Sequence, residues 1–250
     1  MLPASQIKFI RSLAQKKERD ATGLFVAEGF KTVGDLAPYF KCRLLAATKE
    51  HLDGCSIQAD TILQASPSEL DRASLLKTPQ GMLALFEKPA AQAACHVPAN
   101  ELTLALDGLQ NPGNLGTIIR LADWFGIRQL FCSPDTADAY GPKTVQATMG
   151  ALGRVQIHYT DLESLLLQAP ASLSVFGTFL DGEPVYDALL PQQGIIVMGS
   201  EGRGISDKLT ARITKRLFIP PFPAGAITSE SLNVAVAAAI ICSEFRRRNA

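Results

Sequence analysis

Four polar side chains stand where short apolar segments give way to turns rich in glycine and proline: Asn114, Arg120, Glu201 and Asn233. In LDGLQNPGNLGTIIRLADWFGI (106–127) an apolar run ends at Asp107, the chain turns through Asn111-Pro112-Gly113, and a helical pattern carries Ile118, Ile119 and Arg120 before Gly126. The start of such a helix exposes N–H groups and a positive dipole end, which suits an anion such as phosphate. Arg120 follows Asn114 by less than two turns. On these residues alone an anion-binding turn and an ordinary strand–turn–helix with a surface arginine stand side by side. In GIIVMGSEGRGIS (194–206) a buried strand runs into Gly199, Gly202 and Gly204 around Glu201. Glycines here let another segment or a ligand approach the main chain closely, and Glu201 is either a functional acid or a solvated one. The spacing GxxGxG is not the GxGxxG of a dinucleotide loop, which weakens the reading as a nucleotide-binding oxidoreductase. A third stretch, RLFIPPFPAGAITSESLNVAVAAAIICSEFRRR (216–248), ends a strand at Ile219, passes a Pro/Gly-rich loop and opens a long helix at Ser231. Ala235, Ala237, Ala238 and Ala239 make that helix fit for close packing.

The elements that must position these groups follow from periodicity. LTLALDG, RQLFC, VQIHYT, LSVFGTFL, GIIVMGS and RLFIP read as short strands, with helices at 115–125 and 161–169 between them, so a parallel sheet covered on both faces is expected. Upstream, LFVAEG (24–29), CRLLAAT (42–48) and GMLALFEK (81–88) read as strands and SPSELDRASLL (66–76) as a helix starting at Ser or Pro. Prolines 89 and 98 bracket an alanine-rich linker. Two α/β domains are expected, residues 1–98 and 99–250.

The 250 residues are 47% hydrophobic and 19% charged, a globular composition. No apolar run suits a membrane span, and the basic N-terminus lacks the apolar core of a secretory signal, so a cytoplasmic protein without a membrane partner is expected. The five cysteines are scattered and never spaced CxxC, which suggests buried thiols and neither a disulfide framework nor a zinc site. Lys+Arg and Asp+Glu balance at 24 each. The local excess lies at the start, where Lys8, Arg11, Lys16, Lys17 and Arg19 face only Glu18 and Asp20. That cluster is either an RNA-contacting patch or a solvated helix face.

Together the three motifs resemble the SpoU (TrmH-like) family of RNA ribose 2′-O-methyltransferases, within the SPOUT superfamily. The carrying residues are N-x-G-x-x-x-R from Asn114 to Arg120, G-x-E-G-x-G from Gly199 to Gly204, and IP at 219–220 followed by SLNVAVA at 231–237. The opening SQIKFIRSLAQKKERDATGLFVAEGFKTV more loosely resembles the family's L30e-like RNA substrate-binding domain. The loop PFPAGAITSE (221–230) is longer than in many relatives, so Gly225 has no certain counterpart.

The resemblance implies a C-terminal SPOUT α/β domain with a deep trefoil knot, preceded by the small L30e-like α/β domain. It implies S-adenosyl-L-methionine as cofactor, with Thr178, Met198, Gly199, Gly202, Ile219 and Leu232 around it, and no metal. It implies Asn114, Arg120, Glu201, Ser231 and Asn233 at the reacting centre. A guanidinium is a poor base, so Arg120 is expected to hold phosphate and stabilise the developing alkoxide, with Glu201 as the competing base. The substrate would be structured RNA, tRNA or rRNA, and the protein a homodimer through its C-terminal domain, in which Ile119, Trp124, Phe125 and the small residues of the last helix meet a partner copy. The alternative is an RNA-binding protein of the same fold that has lost catalysis.

Overall fold

The computed structural model describes residues 1–90, 95–223 and 228–248. Gly225 lies outside the described residues. The chain divides into two compact units, Met1–Ala91 with Asp138–Arg154, and Gln92–Ala137 with Val155–Ala250. A single cut at 98/99 therefore misses one feature: Asp138–Arg154 belongs with the first unit.

The first unit is built on a four-stranded sheet of order β1-β4-β2-β3, with β1 at Leu24–Glu28, β2 at Cys42–Ala47, β3 at Thr61–Gln64 and β4 at Met82–Glu87. β4 runs antiparallel to both β1 and β2, and β3 runs parallel to β2. Helices α1 (Ala4–Ser12), α2 (Lys16–Thr22), α3 (Phe30–Leu36), α4 (Lys49–Leu52) and α5 (Pro67–Ala73) complete the N-terminal segment. Ile7, Ile10 and Leu13 pack with Leu70, Ala73 and alternate residues of the strands, as the two-residue period of a strand requires. The other face carries Phe25, Phe86, Phe40 and Tyr140, with Phe25 and Tyr140 centroids 5.2 Å apart.

α5 begins where Ser66 and Glu69 form a capping box. It ends three residues before the expected Leu76, because the buried Glu28 carboxylate accepts from Ser74 Oγ at 2.5 Å and Leu75 N–H at 2.7 Å. Those bonds hold the chain out of helical geometry. A buried carboxylate retains such donors because an unpaired charge there would cost several kcal/mol, on the order of 3–5.

The second unit is a six-stranded, wholly parallel sheet of order β10-β8-β9-β5-β6-β7. Its strands are β5 (Leu102–Asp107), β6 (Gln129–Cys132), β7 (Gln156–Tyr159), β8 (Val175–Pro184), β9 (Gly194–Gly199) and β10 (Lys215–Phe218). In chain order these surround α6 (Pro112–Trp124), α7 (Pro142–Thr148, in the first unit), α8 (Leu162–Leu167), α9 (Asp207–Thr210) and α10 (Val234–Arg247). One face of the sheet buries Ala105, Phe131, Val175, Ile195 and Val197 against Leu162, Leu165 and Leu209 of α8 and α9. Toward α10, Phe176 meets Phe245 edge to face at 5.0 Å. The succession β5, β6, β7 leads outward on one side of β5, and the chain then crosses to build β8, β9 and β10 on the other. The carboxyl ends of β5 and β9 therefore mark a topological switch point, where open α/β sheets bind ligands.

α6 and α10 are tied at their ends. Arg246 of α10 donates to Phe125 O at 2.7 Å and to Gly126 O at 3.3 Å, so a cation closes the negative end of α6. Gly126 has φ +64°, the left-handed turn that a glycine after the last helical residue provides.

Candidate active site

α6 starts at Pro112, earlier than the expected 115, because Asn111 Oδ1 accepts from Gly113 N at 2.8 Å and Asn114 N at 3.2 Å. Proline at the first helical position sacrifices no helix bond. Asn114 thus sits in the first turn. α10 starts at Val234, later than the expected Ser231, because the capping residue is Asn233, whose Oδ1 accepts from Ala235 N at 2.9 Å and Val236 N at 3.4 Å. Ser231 stays exposed in the preceding loop, where its carbonyl accepts from Ser229 Oγ.

Between Ser200 and Gly204 the chain closes a small loop through reciprocal backbone bonds of 3.1 and 2.9 Å. Gly204 turns at φ +67°. A Cβ placed on Gly199 would lie 2.1 Å from Gly204 C and 2.3 Å from Ile205 N, so only glycine lets the loop fold back on β9. The close approach expected from the glycines is real, and at Gly199 the approaching segment is the loop's own return. Asp107 anchors the chain as it leaves this loop, accepting from Ser206 N at 2.7 Å.

These three pieces converge. Asn233 Nδ2 donates to Asn114 Oδ1 at 3.1 Å, and Asn114 Nδ2 donates to Glu201 Oε1 at 2.5 Å. Both asparagine side chains have fixed orientations, and the Glu201 carboxylate is held by one oxygen. Arg120 is exposed on α6, six residues on, where helix geometry turns it about 120° away from Asn114. Gly199 ends β9 and Ile219 follows the last residue of β10, whereas Thr178 lies inside the ten-residue β8, just after the Val175–Gly177 stretch that pairs with β9, and not at that strand's carboxyl end. Met198 is 2% exposed, so its side chain belongs to the core and only its main chain is offered. Gly202 is exposed at the loop tip, and nothing lies within 4 Å of its Cβ position.

The basic cluster divides. Lys8 and Lys17 are exposed. Lys16 is exposed and paired with Asp20 at 2.5 Å, and with Lys88 it holds that carboxyl below its usual range. Arg11 donates to Arg72 O and Ser74 O at the end of α5. Arg19, expected in the same cluster, is turned inward and not exposed. Its side chain is 4% exposed, donates to Asp138 Oδ2 at 3.0 and 2.6 Å, and donates to Leu13 O and Ala14 O at 2.7 and 2.9 Å. Its donors are consumed inside the first unit.

Residues 101–243 match the model of the SpoU rRNA Methylase family, and residues 4–84 match the MRM3-like substrate binding domain. The chain belongs to the SpoU rRNA methylase family. It is 28% identical, over 96% of both chains, to the 23S rRNA (guanosine(2553)-2'-O)-methyltransferase RlmP of Bacillus subtilis. Among solved structures, a TrmH-family protein from Porphyromonas gingivalis superposes with TM-score 0.88 at 45% identity over 99% of both chains. An AdoMet-bound rRNA methyltransferase from Sinorhizobium meliloti superposes with TM-score 0.85 at 28% identity, covering 99% of this chain and 97% of that one.

The SpoU motifs thus account for the convergence of Asn114, Glu201 and Asn233, and the strand ends beside them fit S-adenosylmethionine. Ile219 is half-buried and Leu232 48% exposed, so both present apolar surface, while the Cβ side of Gly199 is closed by Gly204 and Ile205. Sequence reasoning missed two residues that hold the site: Asn111, which starts α6, and Asp107, which anchors Ser206. Their local signals were the Asp-Gly pair at the end of an apolar run for Asp107 and the Asn-Pro-Gly turn that opens a helix for Asn111. The cysteines stand apart from this chemistry. Burial pushes the Cys42 thiol up to about 11 and Cys242 to about 12, and raises Cys132 as well. Cys55 and Cys95 are half-buried.

Proposed function

We propose that the protein methylates a ribose 2′-hydroxyl of structured RNA, with the Glu201–Asn114–Asn233 chain of hydrogen bonds as the reacting centre. That chain carries the reading, because it unites the three SpoU motifs at one point. S-adenosylmethionine supplies an electrophilic methyl group on a sulfonium. Thr178, Gly199, Ile219 and Leu232 hold it through main-chain and apolar contacts. Asn114 fixes the Glu201 carboxylate by one oxygen, and the other accepts the 2′-hydroxyl proton as the ribose oxygen forms its bond to carbon. Arg120 holds the neighbouring RNA phosphate by its planar fork and offsets the charge that develops on the oxygen. Ser231 lies beside Leu232 and orients the cofactor's polar end. Lys8, Lys16 and Lys17 of the substrate-binding domain draw in the RNA backbone.

The working form is a cytoplasmic homodimer through the C-terminal domain. Among the residues expected at that interface Ile119 is buried within its own protomer, Phe125 is half-buried, and Trp124 is 83% exposed. Val236 and Leu232, each 48% exposed, extend the apolar surface at the start of α10. As the resemblance to the SpoU family implies, Arg120 completes the site of the partner subunit, a reading supported by its place about 120° round α6 from Asn114. Ribosomal RNA is the favoured substrate, because a relative matched over 96% of both chains is named for it.

Incubation of the purified protein with radiolabelled S-adenosylmethionine and unmodified rRNA or tRNA transcripts, followed by nuclease digestion, should yield a 2′-O-methyl nucleotide. Arg120→Ala should abolish the transfer while calorimetry shows cofactor binding intact, and Arg120→Lys should restore little, since a point charge does not reproduce the fork. Absence of label on both RNA classes would overturn the reading.

A further inference from the structure

Beside the reacting centre, the second unit contains a cleft of about 610 Å³ that none of the cofactor residues line. It opens at the carboxyl ends of β5, β6 and β9, the switch point of the sheet, and its volume lies in the range of small-ligand sites. Its walls include Gly108, Asp135, Arg203, Ile205 and Ser206.

Two charged groups face each other across it. Asp135 Oδ1 accepts from Ser133 Oγ at 2.6 Å, and Ser133 Oγ also accepts from Gly108 N at 2.8 Å. Gln110 Nε2 donates to Asp135 O at 2.5 Å, so both the backbone and the carboxylate of Asp135 are held. Oδ2 is turned toward Arg203, whose guanidinium nitrogen lies 3.8 Å away. At that distance, with side chains 57% and 78% exposed, the pair is weakly coupled and each partner can exchange the other for a ligand. Gly108, at φ +68°, forms the floor, and a Cβ on it would come within 3.2 Å of Asp135 Oδ2 and 3.7 Å of Arg203. Ser206 Oγ is buried without a hydrogen-bond partner among the described residues.

We infer that this cleft reads a guanine base of the RNA substrate, with Asp135 and Arg203 as the specificity-determining residues. Guanine presents two N–H donors, N1–H and the 2-amino group, directly beside the acceptor O6. A carboxylate set next to a guanidinium is the complement of that edge, and arginine is the common donor to O6 and N7. Adenine offers N1, an acceptor, to the carboxylate and an amino group to the guanidinium, so both protein groups would be left unpaired. The loop 200–204 explains why the base belongs to RNA and not to a free nucleotide: it carries Glu201 toward Asn114 and Arg203 toward Asp135, linking base reading to the ribose chemistry. The inference rests on the proposed function only in that last step.

The test is equilibrium binding, with no methyl transfer in the readout. GMP, IMP and AMP are titrated into the full chain by NMR, and short RNA hairpins carrying guanine, inosine or adenine at each unpaired position are titrated by fluorescence anisotropy. GMP should bind at least tenfold more tightly than AMP, with IMP, which lacks the 2-amino group, between them. One guanine position in the hairpins should show the same order. Asp135→Asn keeps an acceptor for Ser133 and should retain the thermal midpoint while erasing the preference, and Arg203→Ala should weaken GMP at least tenfold. Equal binding of GMP and AMP, or an unchanged preference in Asp135→Asn, would overturn the site. A GMP preference with no matching RNA position would overturn the RNA assignment in favour of a free nucleotide. Failure of methyl transfer with the guanine preference intact would count against the proposed reaction and leave the cleft standing.

Discussion

Asn233 and Asn114 are 119 residues apart in the chain and 3.1 Å apart in space, Nδ2 of the first donating to Oδ1 of the second. The same Asn233 side chain starts α10 through its oxygen. One amide therefore does two separable jobs, one with each of its polar atoms.

Asn233→Asp keeps the oxygen acceptors and loses the donor. Aspartate caps a helix as well as asparagine does, so stability should be unchanged within about 0.5 kcal/mol. The carboxylate would face Asn114 Oδ1, and that amide could no longer serve Glu201 in the observed orientation. kcat for methyl transfer should fall at least tenfold, with cofactor affinity little altered. Asn233→Ala should show the same catalytic loss and also a stability loss of about 1 kcal/mol from the missing cap. Equal activity of the Asp variant and wild type would remove Asn233 from the reacting centre.

Gly199→Ala places a methyl group where Gly204 and Ile205 backbone atoms already stand, at 2.1–2.4 Å. A backbone cannot yield as a flexible side chain does, so the 200–204 loop must move and take Glu201 with it. Overpacking of this kind should cost about 3 kcal/mol, read as a lower denaturant midpoint, and transfer should be lost. Gly202→Ala has open space around it and should be tolerated in stability, which makes it the matched control.

Arg19 and its basic neighbours should separate in experiment. Arg19→Ala strands the 11%-exposed Asp138 carboxylate and frees two backbone carbonyls. Breaking a buried pair from one side destabilises by about 3–5 kcal/mol, and urea unfolding should show it. Arg19→Lys should recover only part, since one ammonium cannot reach all four acceptor bonds. Lys16→Glu with Lys17→Glu should leave stability nearly unchanged and flatten the salt dependence of RNA binding. An unchanged salt slope would assign those lysines to a merely solvated face.

How far the sequence was legible depended on the range of the interaction responsible. Short, near-continuous apolar runs bounded by glycine, proline or polar residues place β5, β9 and β10, and hence Asp107, Gly199 and Ile219, because the signal is local. Asn114, Glu201 and Asn233 could be picked out as motif residues, but their mutual bonds span up to 119 positions and only the folded chain shows them. The same limit explains the errors. α5 stops early because Glu28, 46 residues away, takes Ser74, and Arg19 looked like a surface cation because its partner Asp138 lies 119 residues on. The helix start at Ser231 was misplaced for a local reason: serine and asparagine are both good caps, and the sequence holds one of each two residues apart.

His158 supplies a pH dependence that can be measured without substrate. Its ring stacks on Phe131 with centroids 5.2 Å apart, and Nε2 is buried without a hydrogen-bond partner among the described residues. Burial, with a smaller contribution from the charge of His96, holds its pKa below the ordinary value of 6.5. The unfolded chain therefore takes up a proton near pH 6.5 while the folded protein resists it, so the unfolded state binds more protons and stability falls as pH decreases. The contribution is fully present above pH 6.5 and is lost progressively below it, down to the folded pKa. Thermal midpoints measured between pH 7.5 and 5 should fall across the acid side for the wild type. In His158→Leu the midpoint itself is set by altered packing, but its slope below pH 6.5 should be shallower, because the group that discriminates between the two states is gone. Parallel slopes in the two proteins would assign the acid sensitivity to the carboxylates instead.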